Sequence, residues 1–197
     1  MKPKLVLIGG GGHCASCIDV IELEDKFEIA GIVDIDTCAG SLLGYPVLGN
    51  DDTLLELRSS FDFALITIGQ ITTPSIRIKL FEIAKFYSYT FPKIISPRAY
   101  VSGHAEIGEG TIVMHGALIN SRASIGRNCI INSQALVEHD AVIEDNCHIS
   151  TAAIINGGGV VKNGTFVGSN AVTIECIKTN ENDFINAGSI FRGYARN

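Results

Sequence analysis

The sequence contains no cluster of basic residues. Its 15 lysines and arginines are outnumbered by 21 acidic residues, and the formal net charge is -6. A nucleic-acid-binding protein needs concentrated positive charge to neutralise phosphates. The composition therefore argues against a polynucleotide partner.

Long hydrophobic runs are also missing. The apolar run at residues 4–8 is followed by glycines, whereas a membrane helix needs about 20 apolar residues. A cleavage-type segment does not follow this run either. We therefore expect a cytoplasmic protein with no membrane partner.

The six cysteines lack the pattern of a metal site. Cys14 and Cys17 form a single C-x-x-C without a second pair, and a structural zinc ion needs four ligands. In a chain without an export signal, reduced thiols are expected rather than a disulfide framework. The sequence thus predicts no metal.

What the chain does contain is a repeat of six residues. A β-branched aliphatic residue occupies every sixth position without insertion, at Ile95, Val101, Ile107, Val113, Ile119, Ile125, Ile131, Val137, Ile143, Ile149, Ile155, Val161 and Val167. Four positions after each stands a small residue, from Ala99 to Ala171. This period fits neither a helix face nor an alternating strand, and it is typical of a β-solenoid whose rungs bury their apolar faces against one another.

The first 90 residues have a different pattern. Apolar runs at residues 4–8, 28–33 and 63–68 predict strands, and the spacing at residues 12–23 and 76–87 predicts helices. Alternating strands and helices form a parallel sheet whose ligand crevice lies at the carboxyl ends of the strands. Residues at these ends are candidates for ligand binding: Gly11, Gly12, His13, Asp34, Gly69 and Gln70.

Four consecutive glycines, residues 9–12, precede the first helix. Such a loop lets a phosphate approach the backbone N–H groups of a helix N-terminus. The series Gly10, Gly12 and Ala15 with Asp34 formally fits a dinucleotide fingerprint. Only one mononucleotide-binding half precedes the solenoid, so a nucleotide or nucleotide-sugar is favoured over NAD. A tight turn that binds nothing is the alternative.

These patterns predict three segments. Residues 1–91 form an α/β Rossmann-like half-domain, residues 92–174 form an all-β parallel β-helix of hexapeptide repeats, and residues 175–197 form a C-terminal tail that packs on the β-helix. Pro92 and Pro97 mark the passage between the first two.

One histidine of the solenoid has neighbours suited to proton transfer. His139 lies between Glu138 and Asp140 at a predicted corner, and a carboxylate can fix the tautomer of an imidazole and increase its basicity. His148 follows on the next stretch of wall, whereas His104 and His115 are expected to be solvated or to satisfy turns. Residues 157–159 are glycines one coil above His139, where bare backbone can admit an elongated ligand and donate to an oxyanion.

The combination of glycine loop, hexapeptide solenoid and Glu138-His139-Asp140 resembles the bacterial sugar acetyltransferases of the left-handed β-helix superfamily. It is most similar to the UDP-4-amino-sugar N-acetyltransferases of bacillosamine synthesis and the sialic-acid O-acetyltransferases. The resemblance covers residues 2 to about 172. It implies a homotrimer, acetyl-CoA between neighbouring solenoids and a UDP-linked amino sugar on the N-terminal domain.

The resemblance also assigns roles to residues. His139 would be the base and Asp140 the acid that polarises it. The resemblance places His148 and Ala152 at the acetyl-transfer centre, and His13, Asp34 and Asn132 at the substrate. Together with the candidates from the residue pattern, the acetyl-CoA and oxyanion set is His148, Ala152, Gly157 and Gly168; the substrate set is Gly11, Gly12, His13, Asp34, Gly69, Gln70 and Asn132. The chain departs from the family pattern at Ile35, where some members carry a second aspartate, at Ala152, where they carry glycine, and in the closing segment, residues 188–192.

The expected activity is acetyl transfer from acetyl-CoA to the amino group of a UDP-linked amino sugar in bacterial surface glycan or glycoprotein biosynthesis. O-acetylation of a sialic-acid-like sugar is an alternative on the same fold. A zinc hydratase would need three convergent histidines, and the wall histidines lack ligand spacing. A non-catalytic nucleotide-sugar-binding protein is the third alternative.

Overall fold

A computed structural model describes residues 1–36 and 40–194. The N-terminal half-domain has strands β1 (Lys4–Ile8), β2 (Glu28–Val33), β3 (Ser41–Leu42), β4 (Tyr45–Gly49) and β5 (Phe63–Ile66), and helices α1 (Gly12–Glu24), α2 (Leu54–Leu57) and α3 (Ser75–Phe86). The strand order is β3-β4-β2-β1-β5, and every pair is parallel except β3 with β4. The predicted α/β half-domain is confirmed. None of the helices in the described ranges is long and apolar enough to cross a membrane.

The central strand β1 is covered on both faces. Residues 5–8 of this strand are fully buried, as expected for a parallel strand between helices. Cys14 and Cys17 of α1 lie in the same core. Burial raises the pKa of the Cys14 thiol to about 11 and that of Cys17 still further. These cysteines therefore have a packing role.

The remainder of the described chain is a parallel coil of two-residue strands. They are β6 (Ile94–Ile95), β7 (Tyr100–Val101), β8 (Glu106–Ile107), β9 (Ile112–Val113), β10 (Leu118–Ile119), β11 (Ser124–Ile125), β12 (Ile130–Ile131), β13 (Leu136–Val137), β14 (Val142–Ile143), β15 (His148–Ile149), β16 (Ile154–Ile155), β17 (Val160–Val161), β18 (Phe166–Val167), β19 (Val172–Thr173), β20 (Phe184–Ile185) and β21 (Ile190–Phe191).

Three parallel sheets form the walls of this coil. Sheet I contains β6, β9, β12, β15, β18 and β20; sheet II contains β7, β10, β13, β16, β19 and β21; sheet III contains β8, β11, β14 and β17. From β6 to β16, each strand pairs with the one 18 residues later, as Ile131 pairs with Ile149. One coil is therefore three hexapeptides, and the predicted hexapeptide β-helix is confirmed.

The second residue of each strand points into the coil. Ile119, Ile131, Val137, Ile149 and Ile155 are fully buried in one continuous cluster with the small residues of the corners. Many of the corner turns contain a residue with positive φ, for example Arg122, Asn128, Asp140 and Ala152. This left-handed backbone reverses the chain between strands, and it fixes where corner side chains such as Asp140 emerge.

The coil continues beyond residue 174. The six-residue frame passes through Thr173 and Thr179 to Ile185 and Phe191, and β20 and β21 pair with β18 and β19. Both threonines are buried and their hydroxyl oxygens accept backbone N–H bonds, from Asn156 at 3.0 Å and from Lys162 at 2.8 Å. The predicted boundary at 174 thus lies just after Thr173, the first residue to interrupt the aliphatic positions that run to Val167, whereas strand pairing extends to residue 191.

Sheet I is the wall on which the half-domain packs. Ile94, Ile112 and Ile130 point outward from this sheet into the same core cluster as α1. Arg77 of α3 is fully buried and crosses the junction, where its Nη2 donates to Asn128 O at 3.0 Å and to Asn128 Oδ1 at 2.9 Å. Its Nη1 donates to the carbonyls of Ile66 and Ile68. These contacts hold the end of β5 against the coil.

His115 also joins the two units. Its Nδ1 lies 2.6 Å from Ser96 Oγ, and its Nε2 lies 2.7 Å from Asp19 Oδ2 on α1. The sequence predicted that this histidine is solvated or satisfies a turn, and the contact with Asp19 adds a link between the half-domain and the coil.

Candidate active site

His139 lies at the corner between sheets II and III, directly after β13. Its Nδ1–H donates to Asp140 Oδ2 over 2.7 Å. The imidazole is more than half exposed, with 62% of its side-chain surface accessible. The Nε2 atom is therefore oriented away from the carboxylate as a potential proton acceptor.

Asp140 has a second partner that the sequence analysis missed. Arg122, one coil below, donates from Nε to Asp140 Oδ1 at 2.6 Å and from Nη2 to Oδ2 at 2.7 Å. The Arg122 hydrogen bonds, followed by that of His139, hold the pKa of the Asp140 carboxyl well below its usual range. The 18-residue coil length was the sequence signal that could have identified this pair.

Glu138 does not contact the imidazole through its carboxylate. Its Oε2 accepts from Asn120 Nδ2 at 2.8 Å and from the His139 backbone N–H at 3.3 Å. This carboxylate therefore stabilises the corner, and Asp140 is the acid that orients the ring.

A groove of about 550 Å³ opens in front of His139. Gly157 forms its floor, and a Cβ at this position would lie 3.0 Å from His139 Cε1 and 3.1 Å from Nε2. Within the described ranges, the Gly157 N–H donates no hydrogen bond. The predicted bare backbone beside the imidazole is present, and its amide is available to a ligand.

Ala152 and Gly168 lie elsewhere, at the corner between sheets I and II. The Ala152 N–H, which we expected to face an oxyanion, donates to Ser133 O at 2.9 Å. That expectation is corrected because a hydrogen bond between the corners of successive coils already uses this amide. The Gly168 N–H likewise donates to Ile185 O at 2.8 Å, and a Cβ at Gly168 would lie 2.5 Å from Ala187 N. Gly168 therefore permits close stacking of two coils.

His148 lies on sheet I, in the junction with the half-domain. Its Nδ1–H donates to Gln70 O at 2.6 Å, and its Nε2 accepts from Asn132 Nδ2 at 3.2 Å. Burial lowers the pKa of this imidazole to about 4. His148 is thus a neutral ring fixed between two substrate-set residues, and it is separated from His139 in the same chain.

His13, at the start of α1, completes this group. Its ring centroid lies 6.4 Å from that of His148, and its Cβ would be 3.5 Å from a Cβ at Gly69. Burial, with a smaller contribution from the Arg77 charge, lowers the pKa of His13 to about 3. His13 Nε2 and Gln70 Oε1 are buried without hydrogen-bond partners in the described part of the chain. Unpaired buried polar atoms of this kind are suited to binding a polar ligand.

The glycine loop forms the nearby pocket, which has a volume of about 240 Å³ and is lined in part by Gly10, Gly11 and Asp34. Asp34 Oδ2 accepts the Gly10 N–H, and Oδ1 accepts the Asp36 N–H at 2.8 Å. Gly11 is the N-cap of α1, and Gly12 is its first residue. The side chain of Ile35, at the position of the family's second aspartate, is exposed.

Most of the predicted site residues therefore form two groups on different sides of the coil, while Ala152 and Gly168 lie at a third place, the corner between sheets I and II. The base, its carboxylate and Gly157 lie at the corner opposite sheet I, whereas the substrate set and His148 lie against sheet I. One chain does not bring the two groups together. No three potential metal ligands among the His, Cys, Asp and Glu residues at positions 1–36 and 40–194 converge.

Comparison with known proteins gives consistent results. Residues 4–84 match the PglD N-terminal domain family. No curated protein matches the chain. Among solved structures, PerB from Caulobacter crescentus in complex with CoA and GDP-perosamine has 32% identity and a TM-score of 0.91, and the match covers 96% of this chain and 89% of that one.

A second structural match is the acetyltransferase domain of PglB from Neisseria gonorrhoeae in complex with acetyl coenzyme A. It has 27% identity and a TM-score of 0.88, with 98% of this chain and 95% of that chain covered. The similarity to both structures extends over the half-domain and the coil.

Proposed function

This chain belongs to the hexapeptide-repeat sugar N-acetyltransferases, and we propose that it transfers the acetyl group of acetyl-CoA to the amino group of a UDP-linked amino sugar. The observation that carries the proposal is the His139–Asp140 hydrogen bond beside the Gly157 amide, which donates no hydrogen bond within residues 1–36 and 40–194. A base and an oxyanion donor in one groove are what direct acyl transfer to an amine requires.

His139 is the general base in this mechanism. Asp140 keeps Nδ1 protonated, so Nε2 takes the proton as the amine attacks the thioester carbonyl. The Gly157 N–H stabilises the tetrahedral oxyanion, which then expels the CoA thiolate. We assign the oxyanion role to Gly157 instead of Ala152 because the Ala152 amide is bonded to Ser133 O.

We place acetyl-CoA along the corner that rises from His139. A second cavity of about 480 Å³ shares Glu175 and Cys176 with the groove and includes Lys178 and Arg192 in its lining. Cations at that end suit the phosphates of an elongated ligand whose thioester lies at His139. Arg192 would thus supply the positive charge in the divergent closing segment.

We assign the nucleotide-sugar to the half-domain over residues 1–91. The diphosphate fits the glycine loop and the N-terminus of α1, and Asp34 accepts a hydrogen bond from the nucleobase. His13, Asn132 and His148 then lie beside the sugar. We favour uridine as the nucleoside from the family resemblance, and we place the reaction in the cytoplasm during glycan or glycoprotein biosynthesis.

We infer a homotrimer, because the two groups of site residues face different sides of one coil and a complete site therefore needs a neighbouring subunit. Sheet II carries an unbroken column of apolar outward-facing residues, Tyr100, Leu118, Leu136, Ile154, Val172 and Ile190. Apolar faces of this extent are typical of subunit interfaces. Side-by-side packing of three coils would bring His139 of one subunit to the substrate group of the next.

The function is tested by thiol release from acetyl-CoA with a panel of UDP-, GDP- and CMP-linked sugars. We expect turnover with a UDP-linked amino sugar, and His139→Ala to reduce kcat by about 10³-fold or more. His104→Ala, an exposed histidine of a corner two coils below, is the control. Undiminished turnover by His139→Ala would refute the mechanism. Preference for GDP sugars would refute the nucleoside assignment, whereas sugar binding without turnover would favour a binding protein.

The shared active site has its own test. His139→Ala and Asp34→Ala are each expected to have impaired turnover when expressed alone. If each site combines two subunits, co-expression of the two variants should give mixed oligomers in which up to about a quarter of the sites carry both His139 and Asp34. Failure of the mixed oligomer to regain activity would show that each chain supplies a complete site.

A further inference from the structure

We propose that Arg122 is a positioning residue that sets the orientation and charge environment of the base His139 through Asp140. The inference rests on the proposed function for its activity readout. Arg122 does not touch the imidazole, and its contact with Asp140 is the only route for this effect that the described hydrogen bonds contain.

The geometry of the pair fixes the carboxylate. Arg122 and Asp140 occupy equivalent corner positions in successive coils, with φ of 60° and 61°. The two guanidinium nitrogens bind the two carboxylate oxygens at 2.6 and 2.7 Å. A bidentate pair of this type restricts the carboxylate plane. Oδ2 is thereby directed to His139 Nδ1, which is 2.7 Å away.

The charges around His139 make Arg122 distinctive. Its own corner carries Glu138 and Asp140, and Glu175, two coils above, also lines the groove. Arg122 is the cation that contacts this otherwise anionic group. Its charge partly offsets that of Asp140, which would otherwise stabilise the imidazolium form.

The direction of the effect follows from this arrangement. Without Arg122, no cation in contact with Asp140 offsets its negative charge. The protonated form of the His139 imidazole therefore becomes more favourable. A general base works only when it is neutral. The acidic limb of the pH profile of kcat/KM should therefore move to higher pH, and the loosened carboxylate should lower kcat.

The experiment compares three variants with the wild type. Arg122→Gln removes the charge, and Arg122→Lys retains the charge but loses the bidentate geometry. The matched control is Arg127→Gln. Arg127 and Asp145 are also 18 residues apart and form an ion pair at a different corner, where Arg127 Nη2 donates to Asp145 Oδ2 at 2.8 Å. Both arginines are exposed, so folding should be retained in each variant.

We expect Arg122→Gln to move the acidic limb upward by about one pH unit and to lower kcat by about tenfold. Arg122→Lys should keep the acidic limb at the wild-type pH but should have a lower kcat than the wild type. Arg127→Gln should match the wild type in both the acidic limb and kcat. An unmoved limb in Arg122→Gln, or an equal shift in Arg127→Gln, would overturn the proposal.

A measurement without substrate separates this inference from the proposed function. The pH titration of the His139 Cε1–H resonance, assigned with His139→Ala, should differ between wild type and Arg122→Gln in the same direction as the acidic limb. Absence of turnover by the wild type would refute the function alone. Coincident titration curves would refute the role of Arg122 alone.

Discussion

At the scale of residues, the candidate chemistry depends on a few atoms whose positions the coil fixes. The His139–Asp140 pair was predictable because the two residues are adjacent in sequence. Arg122 was not identified because its contact depends on coil stacking, and Ala152 was misassigned because its hydrogen bond to Ser133 is invisible in the sequence. Single-residue patterns thus reveal local pairs, whereas partners in other coils require the register.

Gly157 provides a residue-scale prediction. Alanine at this position would place Cβ 3.0 Å from the His139 ring, a contact that the imidazole must move to relieve. We expect Gly157→Ala to lower kcat by about 10²-fold with little loss of stability. The assay is steady-state turnover alongside thermal unfolding.

Gly103→Ala is the matched control for this substitution. Gly103 occupies the equivalent corner position three coils below, and a Cβ there has no atom within 4 Å. Equal losses of kcat in the two variants would contradict a specific effect on the imidazole.

The buried histidines predict acid sensitivity of the fold. Their ordinary pKa of 6.5 is lowered to about 4 in His148 and about 3 in His13, chiefly by burial. Below pH 6.5 the unfolded chain binds more protons than the folded chain. The free energy of unfolding should therefore fall by up to about 1.4 kcal/mol per pH unit for each histidine as the pH drops through this range.

Urea unfolding between pH 7 and pH 4.5 measures this dependence. His148→Gln should show a shallower decrease than the wild type, whereas His104→Gln, an exposed histidine, should retain the wild-type slope. The same slope in all three proteins would exclude His148 as a source of the acid sensitivity.

At the scale of elements, the two-residue strand is the repeating unit, and its inward and outward positions differ in energetic weight. Ile143 of β14 is buried, while its neighbour Val142 is partly exposed on the outer face. We expect Ile143→Ala to lower the free energy of unfolding by about 2–5 kcal/mol through cavity formation. Val142→Ala should lower the free energy of unfolding by about 0.5 kcal/mol or less if sheet III faces solvent.

Chemical denaturation of the two variants compares these costs directly. A cost for Val142→Ala as large as that for Ile143→Ala would mean that sheet III packs against another surface in solution.

The sequence predicted these elements well where the inward residue was aliphatic. It did not predict the last coil because Thr173 and Thr179 occupy inward positions and their burial depends on hydrogen bonds to Asn156 and Lys162. A polar residue interrupts an apolar pattern even when the backbone register continues unchanged.

At the scale of the whole molecule, sheet I is covered by the half-domain and sheet II is not. Leu118 lies in the outward apolar column of sheet II with 37% of its surface accessible. A buried glutamate at this position would carry a high desolvation cost. We therefore expect Leu118→Glu to convert the proposed trimer to a monomer of 21.0 kDa and to abolish turnover.

Sedimentation equilibrium and the thiol-release assay together test this expectation. Ser124→Glu, at an outward position of sheet III, is the control and should have the molar mass of the proposed trimer. A trimeric Leu118→Glu protein would locate the subunit interface on another face.

The link made by Arg77 has a consequence for the order in which the chain acquires structure during synthesis. The guanidinium belongs to α3, yet its Asn128 acceptors come 51 residues later, and Ile112 and Ile130 belong to the core of α1. N-terminal segments leave the ribosome first. We therefore expect the nascent half-domain to keep an apolar helix face and a charged side chain in water until the coils of β9 and β12 emerge, so that its final consolidation waits for translation of these strands of sheet I.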